Sequence, residues 1–184
     1  MDNNNLETIV FGGGCFWCVE SCFNLLKGVE AAISGYSGGH KQNPTYQEVC
    51  TGETGHAEVV QITYNPSIIS YEQLMDVFFF LHDPTQLNRQ GNDIGTQYRS
   101  VIYYKDETEK QKAEQAIKAS QESGRWAGAY VTELAPFEKF WPAEQYHQGY
   151  YNDNPTQPYC SAVVGPKIQK FKKYFGELGM LNAE

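Results

Sequence analysis

The sequence predicts an α+β fold: a two-layer single domain in which short strands alternate with helices. The chain has 184 residues, enough for one domain with a sizeable core. Apolar runs typical of strands alternate with segments of helical periodicity, but without the regularity of repeated βαβ units. No internal repeat, linker or low-complexity block divides the chain. We therefore expect one domain over residues 1–184, with loosely ordered tails at 1–6 and 179–184.

The first half of the chain is predicted to contain three strands and two helices. A buried apolar run precedes three consecutive glycines, and apolar residues at helical spacing follow them. The second helix begins at a capping box, in which Ser70 precedes Gln73 by three residues. The predicted elements are a strand over Glu7–Phe11, a helix over Cys15–Leu26, strands over Val29–Tyr36 and Ala57–Tyr64, and a helix that opens at Ser70.

The second half is predicted to alternate in the same way. Asp106, with Glu109 three residues later, caps a polar helix that ends near Gly124. The other predicted elements are strands over Arg99–Tyr104 and Tyr130–Ala135, a short helix over Ala143–Tyr151 and a basic amphipathic helix over Pro166–Phe175. Two long irregular segments, 37–55 and 82–97, carry polar side chains. Segments of this length in a compact domain are usually either functional or disordered, and their polar and reactive side chains favour a functional role.

Composition and charge exclude several classes of protein. The formal net charge is −8 and no basic stripe is present, which argues against binding to nucleic acid. No apolar stretch approaches the ~20 residues of a membrane span, and the start lacks the basic region of a signal peptide. We expect a cytoplasmic monomer. Thirteen Tyr and ten Phe suggest a site lined by rings and phenols.

The five cysteines are the main chemical signal. An odd number in a chain without an export signal argues against a framework of structural disulfides. Cys15 follows the glycines at the expected start of a helix, where backbone N–H groups and the helix dipole favour a thiolate. Cys18, three residues on, is within reach for a disulfide. The pair predicts a redox-active nucleophile with a partner, and Cys22 is interpreted as a core residue.

Two other interpretations of the cysteines remain open. Cys15, Cys18 and Cys22 have the spacing of part of a metal or iron–sulfur motif, but consecutive helical positions make a poor cage. The Cys-x-x-Cys spacing also occurs in general dithiol–disulfide oxidoreductases, which need no acid group beside the thiol. The three glycines lack the spacing of a phosphate-binding loop. We expect no metal and no cofactor.

Five further residues carry groups suited to catalysis or binding. Glu58 lies at the entry of a strand, where it is either an exposed charge or a carboxyl whose pKa is raised by aromatic surroundings. Tyr46 and Tyr98 lie in irregular segments, as hydrogen-bond donors to a polar oxygen or as packing aromatics. Asp93 is an organising carboxylate or an ordinary turn residue. His147 supports the site or lies satisfied on a helix face.

Five separated segments resemble one protein family in the family's own order. They are Gly14-Cys15-Phe16-Trp17, Gly35-Tyr36-Ser37-Gly38-Gly39 with Asn43-Pro44-Thr45-Tyr46, Gly55-His56-Ala57-Glu58, Arg89-Gln90-Gly91-Asn92-Asp93 with Gly95-Thr96-Gln97-Tyr98-Arg99-Ser100, and Glu144-Gln145-Tyr146-His147-Gln148. On these motifs the chain closely resembles the A-type peptide methionine sulfoxide reductases. The resemblance runs from about Ile9 to the end of the chain.

The resemblance implies a ferredoxin-like core and reduction of the S epimer of methionine sulfoxide, free or in proteins, as a form of protein repair. By family role, Cys15 attacks the sulfoxide sulfur and is left as a sulfenic acid. Phe16 and Trp17 hold the ε-methyl group of the substrate. Gly14 and His147 are expected to complete the substrate-binding surface.

The resemblance also assigns the polar groups. Glu58 is the acid that protonates the sulfoxide oxygen, Tyr46 and Tyr98 donate hydrogen bonds to that oxygen, and Asp93 organises the site. An ionised carboxylate would repel the oxygen, so we predict that Glu58 is buried with a raised pKa. Cys15 is expected to become a good nucleophile mainly when substrate is bound.

The resolving thiol is not settled by the resemblance. Many family members have Gly at the position of Cys18 and use a thiol near the C-terminus instead. This chain also has Cys160, in a Pro-rich segment expected to be a coil that can swing. We favour Cys18, with Cys160 as the alternative or as second in a relay. The family's usual reductant for the resulting disulfide is thioredoxin.

Overall fold

Strands and helices follow one another along the chain as the sequence pattern indicates. The computed structural model describes residues 5–182. The strands are β1 (Glu7–Gly12), β2 (Val29–Ser37), β3 (Ala57–Tyr64), β4 (Arg89–Gln90), β5 (Asp93–Ile94), β6 (Val101–Tyr104), β7 (Glu133–Pro136) and β8 (Trp141–Pro142). The helices are α1 (Phe16–Phe23), α2 (Tyr46–Cys50), α3 (Tyr71–Leu81), α4 (Glu107–Glu122), α5 (Tyr150–Asp153) and α6 (Gly165–Glu177).

Six of the strands form one sheet in the order β7-β6-β1-β3-β2-β8. Neighbouring strands are antiparallel except for β6 and β7, which are parallel. Strands β4 and β5 form a separate two-stranded ribbon. The central four strands, with α1 between β1 and β2 and α3 between β3 and β6, have the connectivity of a ferredoxin-like core. The α+β prediction is confirmed.

The main core lies between the sheet and helices α1, α3 and α6. Alternate residues of a strand point to opposite faces of the sheet, so Ile9 and Phe11 enter this core while Val10 enters a smaller cluster on the other face. The Phe11 ring stacks on Phe78 of α3 with centroids 4.4 Å apart. The predicted capping box of α3 is confirmed, because Ser70 and the Gln73 side chain each accept the other's backbone N–H.

Helix α1 ends earlier than predicted. It stops at Phe23, whereas apolar periodicity predicted a helix up to Leu26. The Asn24 side chain donates to the backbone carbonyl of Ala32 at 3.2 Å and accepts the Ala32 N–H at 2.9 Å. This pair of hydrogen bonds joins the helix end to β2. Leu26, which follows in a turn, is buried without being part of the helix.

The irregular segments contain short elements that periodicity did not predict. Helix α2 has five residues, too few to show a periodic pattern, although its capping box of Thr45 and Glu48 is visible in the sequence. The helix predicted over Ala143–Tyr151 is wrong. A 3₁₀ turn over Gln145–His147 is separated from α5 by Gly149, whose φ of 68° lies in the left-handed region.

Helix α6 packs on the domain as predicted, and the residues after it are hydrogen-bonded to the turn that follows α1. Ile168, Phe171 and Phe175 are buried in the main core. The Asn182 N–H donates to the Leu25 carbonyl at 2.8 Å, so the expectation of a loose tail does not hold for the end of the described chain. Residues 1–4 and 183–184 of the expected tails lie outside the described residues. Within residues 5–182, no helix is long and apolar enough to cross a membrane.

Removal of one buried leucine tests this packing. Leu74→Ala is expected to lower the free energy of unfolding by about 2–5 kcal/mol, because Leu74 is 0% exposed and truncation leaves a cavity. Leu87 is 67% exposed, so Leu87→Ala is the matched control and should change this free energy by less than about 0.5 kcal/mol. Urea unfolding measures both variants. Equal losses would contradict the described core.

Candidate active site

The backbone places Cys15 at the junction between β1 and α1. Cys15 is the N-cap residue of α1 and has extended dihedral angles, and its side chain is half-buried. Gly14 precedes it with φ of 86°, a conformation that favours glycine. A Cβ at Gly14 would also lie 2.8 Å from Cγ of Gln90. The sharp turn from strand to helix therefore needs glycine directly before the thiol.

The electrostatic surroundings of Cys15 oppose its ionisation. Burial raises the pKa of the Cys15 thiol well above its ordinary value, and the nearby Glu58 carboxyl raises it further. The backbone N–H of Trp17 lowers this pKa, but by less. The expectation that the helix start favours a thiolate is therefore wrong for the protein without substrate. The second expectation, that substrate must help to activate Cys15, agrees with this arrangement.

Glu58 is buried beside the first turn of α1. It is the second residue of β3, its side chain is 1% exposed, and its Oε1 accepts the backbone N–H of Phe16 at 3.2 Å. Its other carboxyl oxygen, Oε2, has no hydrogen-bond partner among the described residues. Burial raises the pKa of Glu58 to about 8, with a smaller contribution from Asp93. The predicted buried carboxyl with a raised pKa is confirmed.

Two aromatic residues follow the thiol and form an apolar wall. Phe16 is 1% exposed and packs against Tyr36, with centroids 5.7 Å apart. Trp17 is half-buried and stacks on Tyr150 at 4.0 Å, with an angle of 13° between the rings. The indole is thus fixed by its neighbours, as a defined binding surface requires.

His147 lies behind this wall. Its side chain is 1% exposed, and Nδ1 accepts the indole N–H of Trp17 at 2.9 Å. Its ring packs on Tyr46 with centroids 4.4 Å apart. Burial lowers the pKa of His147, although Glu144 opposes this effect. A neutral imidazole that accepts at Nδ1 carries its proton on Nε2, so His147 orients the wall from behind.

The two predicted tyrosines lie on elements that meet near Glu58. Tyr46 is the first residue of α2 and stacks on Phe16 at 6.3 Å. Tyr98 closes a 3₁₀ turn over Thr96–Tyr98. Burial raises the pKa of both phenols, and the carboxyl of Glu58 is the next largest cause for each. Both phenols therefore stay protonated and lie near Glu58.

Glu144 belongs to the site, although the sequence analysis left it unassigned. Its Oε1 accepts the phenol O–H of Tyr36 at 2.9 Å, and its Oε2 accepts the backbone N–H of Tyr46 at 2.9 Å. Burial alone would raise the pKa of Glu144, but these hydrogen bonds bring it below its ordinary value. Glu144 is thus an ionised anchor for the start of α2. The sequence indication for Glu144 was its position in the same motif segment as His147.

Tyr159 is a second residue that sequence reasoning missed. Its phenol donates to Oδ2 of Asp93. Burial raises the pKa of Tyr159, and the Cys15 thiol raises it further. Its ring meets Trp17 edge-on, with centroids 5.9 Å apart. Asp93 therefore reaches the site through Tyr159. Little in the sequence pointed to Tyr159, because it lies outside the five motif segments; its position directly before Cys160 was the one indication.

The two candidate resolving thiols differ in their surroundings. Cys18 lies in the first turn of α1 and is 4% exposed. Cys160 is 0% exposed and begins a π-helical turn that leads into α6. The Cys160 N–H donates to Oε1 of Gln157 at 2.9 Å. The expected swinging coil at Cys160 is therefore wrong, because this segment is an ordered helix start.

The remaining cysteines do not add to a metal site. All five thiols are free, and Cys50 is exposed at the end of α2. Over residues 5–182, no group of three or more His, Cys, Asp or Glu side chains is arranged to hold a metal ion. The site brings together a half-buried thiol, a carboxyl with a raised pKa, two phenols and an aromatic wall.

Comparisons with known proteins identify the family. The family model described as peptide methionine sulfoxide reductase matches residues 7–178. The enzyme named peptide methionine sulfoxide reductase MsrA from Nautilia profundicola is 54% identical over 168 residues, which cover 91% of this chain and 95% of that protein.

Comparison with solved structures points to the same family. Reduced Mxr1 from Saccharomyces cerevisiae superposes with a TM-score of 0.78 at 33% identity, covering 85% of this chain and 90% of Mxr1. Methionine sulfoxide reductase A of Corynebacterium diphtheriae gives 0.74 at 38% identity, covering 83% and 77%. With the thiol, carboxyl and phenols in one site, these matches show that the chain belongs to the peptide methionine sulfoxide reductase family.

Proposed function

We propose that this chain reduces the S epimer of methionine sulfoxide through Cys15, with Glu58 as the acid. The observation that carries the proposal is the buried carboxyl beside the thiol, with one oxygen unpartnered. In the first step the Cys15 sulfur attacks the sulfoxide sulfur. The oxygen passes to Cys15, which becomes a sulfenic acid, and methionine leaves. Two electrons move from the cysteine sulfur to the methionine sulfur.

The acid lowers the barrier because a sulfoxide is a poor electrophile until its oxygen gains a proton. With a pKa of about 8, Glu58 is protonated near neutral pH and can donate its O–H to this oxygen. An ionised Glu58 would repel the oxygen and the attacking sulfur. General acid catalysis of this kind contributes typically about 10²–10⁴-fold.

Tyr46 and Tyr98 support the same oxygen as neutral donors. Burial raises the pKa of both phenols, so each keeps its proton and adds no charge to the site. Asp93, held by the phenol of Tyr159, supports this polar side of the site. Donors that are fixed before the substrate binds stabilise developing charge at little reorganisation cost.

The aromatic wall gives a basis for selecting one epimer. If the oxygen lies at Glu58 and the sulfur at Cys15, the two epimers differ in which carbon substituent faces Trp17 and Phe16. A flat apolar wall suits the methyl group, and the longer side chain then points to solvent. The hydrogen bond from Trp17 to His147 keeps the indole in this orientation.

Cys18 is the resolving thiol in this proposal. It lies on the same helical turn as Cys15, so their approach needs only a local change. Cys160 would have to leave a buried position, and its neighbour Tyr159 would have to release Asp93. Cys160 remains the alternative, or the second thiol of a relay.

Thioredoxin is the proposed reductant of the resulting disulfide. In this proposal the chain works as a single-domain cytoplasmic monomer, and its substrate is free or protein-bound methionine sulfoxide. A structure of yeast Mxr1 has been solved in complex with Trx2. A disulfide that begins at the half-buried Cys15 is open to attack by an external dithiol.

The two epimers of a methionine sulfoxide peptide test the reaction. With dithiothreitol as reductant, the wild type should consume the S epimer and leave the R epimer, which serves as the internal control. Cys15→Ser should abolish the reaction, because a serine hydroxyl is a far poorer nucleophile than a thiol. Chromatography of each epimer over time measures both. Consumption of neither epimer, with activity on insulin disulfides, would instead select a general dithiol oxidoreductase.

A single turnover without reductant tests the resolving residue. Cys18→Ser is expected to accumulate sulfenic acid at Cys15, because its neighbouring thiol is gone. Cys160→Ser, the matched control, should close a disulfide as the wild type does. Trapping with a 1,3-dione followed by mass spectrometry distinguishes the two states. The reverse pattern would assign resolution to Cys160.

A further inference from the structure

His82 is a buried imidazole that the proposed reaction does not use. It is the C-cap residue of α3, and its side chain is 2% exposed. Its Nδ1 donates to the backbone carbonyl of Phe78 at 2.7 Å, and its Nε2 accepts the Ser100 hydroxyl at 2.7 Å. Burial lowers the pKa of His82 to about 4, so the ring is neutral near pH 7 and can make both hydrogen bonds. The imidazole is thus held firmly between the end of α3 and the residue that precedes β6.

The His82 ring packs on the backbone that leads to the nucleophile. A Cβ at Gly13 would lie 2.7 Å from Cγ of His82 and 2.8 Å from its Nδ1, which leaves no room for a side chain. Gly13 does not have the positive φ that favours glycine elsewhere in the chain. Lack of space beside the imidazole therefore explains why glycine is needed at this position.

Gln90 packs on the next residue in the same way. A Cβ at Gly14 would lie 2.8 Å from Cγ of Gln90 and 3.1 Å from its Cβ. The Gln90 side chain is 7% exposed, its Oε1 accepts the Asp83 N–H at 2.9 Å, and its Nε2 donates to the Asp83 carbonyl at 2.6 Å. Because Asp83 directly follows His82, the two side chains form one unit that covers both glycines.

The position of the nucleophile depends on this unit. Cys15 follows Gly14, and its side chain makes no capping hydrogen bond at the start of α1. Glycine has more backbone freedom than any other residue, so two glycines in succession restrain the chain poorly by themselves. Two anchored side chains packed against Gly13 and Gly14 supply the missing restraint, and with it the place of the Cys15 thiol.

Gln90 also connects this turn to the carboxylate of the site. It lies in β4 directly opposite Asp93 of β5, and Asp93 accepts the phenol O–H of Tyr159. The side chain of Gln90 therefore joins the ribbon that carries Asp93 to the backbone that carries Cys15. Displacement of Gln90 is expected to move both groups.

We propose that His82 and Gln90 are positioning residues for the nucleophile: by filling the space beside Gly13 and Gly14, they hold the Cys15 thiol where it meets the sulfoxide sulfur. This inference rests on the proposed role of Cys15, and it requires neither side chain to contact the substrate. Attack requires the reacting atoms to lie about 3–3.5 Å apart, and a misplacement of about 1 Å costs roughly 10²-fold in rate.

The test is a single turnover without reductant, in which methionine release from the S epimer is followed at several substrate concentrations. The amount of methionine released counts the active molecules. His82→Ala and Gln90→Ala should each slow release at saturating substrate by roughly 10–10²-fold per active molecule. The half-saturating concentration should change little, because Trp17 stays stacked on Tyr150.

Gln121→Ala is the matched control for Gln90→Ala. The Gln121 side chain also accepts a backbone N–H, that of Tyr130 at 2.8 Å, but it lies on α4 and contacts neither glycine. Its loss should leave the rate of methionine release at the wild-type value.

Two further variants separate positioning from a general loss of structure. Gln90→Met keeps the two carbons that contact Gly14 and should recover much of the rate lost in Gln90→Ala. Gly13→Ala should slow methionine release in the otherwise wild-type chain, because its methyl group meets the imidazole. The same substitution should cause no further loss in His82→Ala, where that space is open.

Wild-type rates of methionine release in both His82→Ala and Gln90→Ala would overturn the inference. So would equal losses from Gly13→Ala with and without the imidazole, since His82 would then not be the constraint. Urea unfolding is measured in parallel, and a lowered stability with an unchanged rate per active molecule would also contradict positioning. A wild type that leaves the S epimer intact would instead mean that the proposed function is wrong.

Discussion

The hydrogen bond from the Phe16 N–H to the Glu58 carboxyl connects the first turn of α1 to β3. It fixes the carboxyl, the acid of the proposed reaction, beside the residue that follows Cys15, in a place closed to water. Burial then keeps the carboxyl neutral, since its pKa rises to about 8. Because the same burial also keeps the Cys15 thiol protonated, the arrangement favours acid catalysis over a permanently reactive thiolate.

In the proposed reaction this constraint matters because the substrate is neutral. Glu58, Tyr46 and Tyr98 can each offer a proton to the sulfoxide oxygen, since burial raises the pKa of all three groups. An ionised carboxylate at this place would repel the oxygen. The same burial leaves Cys15 as a thiol in the protein without substrate.

The central elements were predictable because their sequence signals are local. Alternation gave β3 with the observed bounds, and a capping box gave the start of α3. The errors came where a contact outside the element decides its structure, as at the end of α1, where the Asn24 side chain bonds to the backbone of Ala32 in β2. The same reason explains the missed site residue Tyr159, whose contact with Asp93 joins positions far apart in the chain.

The protonation state of Glu58 is the most direct test of this account. With ¹³C-labelled glutamate, the side-chain carboxyl resonance of Glu58, assigned by its loss in Glu58→Gln, can be followed by NMR from pH 4 to 10. The account predicts a titration midpoint near 8, with a neutral carboxyl at pH 7. A midpoint close to the ordinary glutamate value of about 4.3 would mean that the carboxyl is ionised at neutral pH. That result would contradict acid catalysis by Glu58.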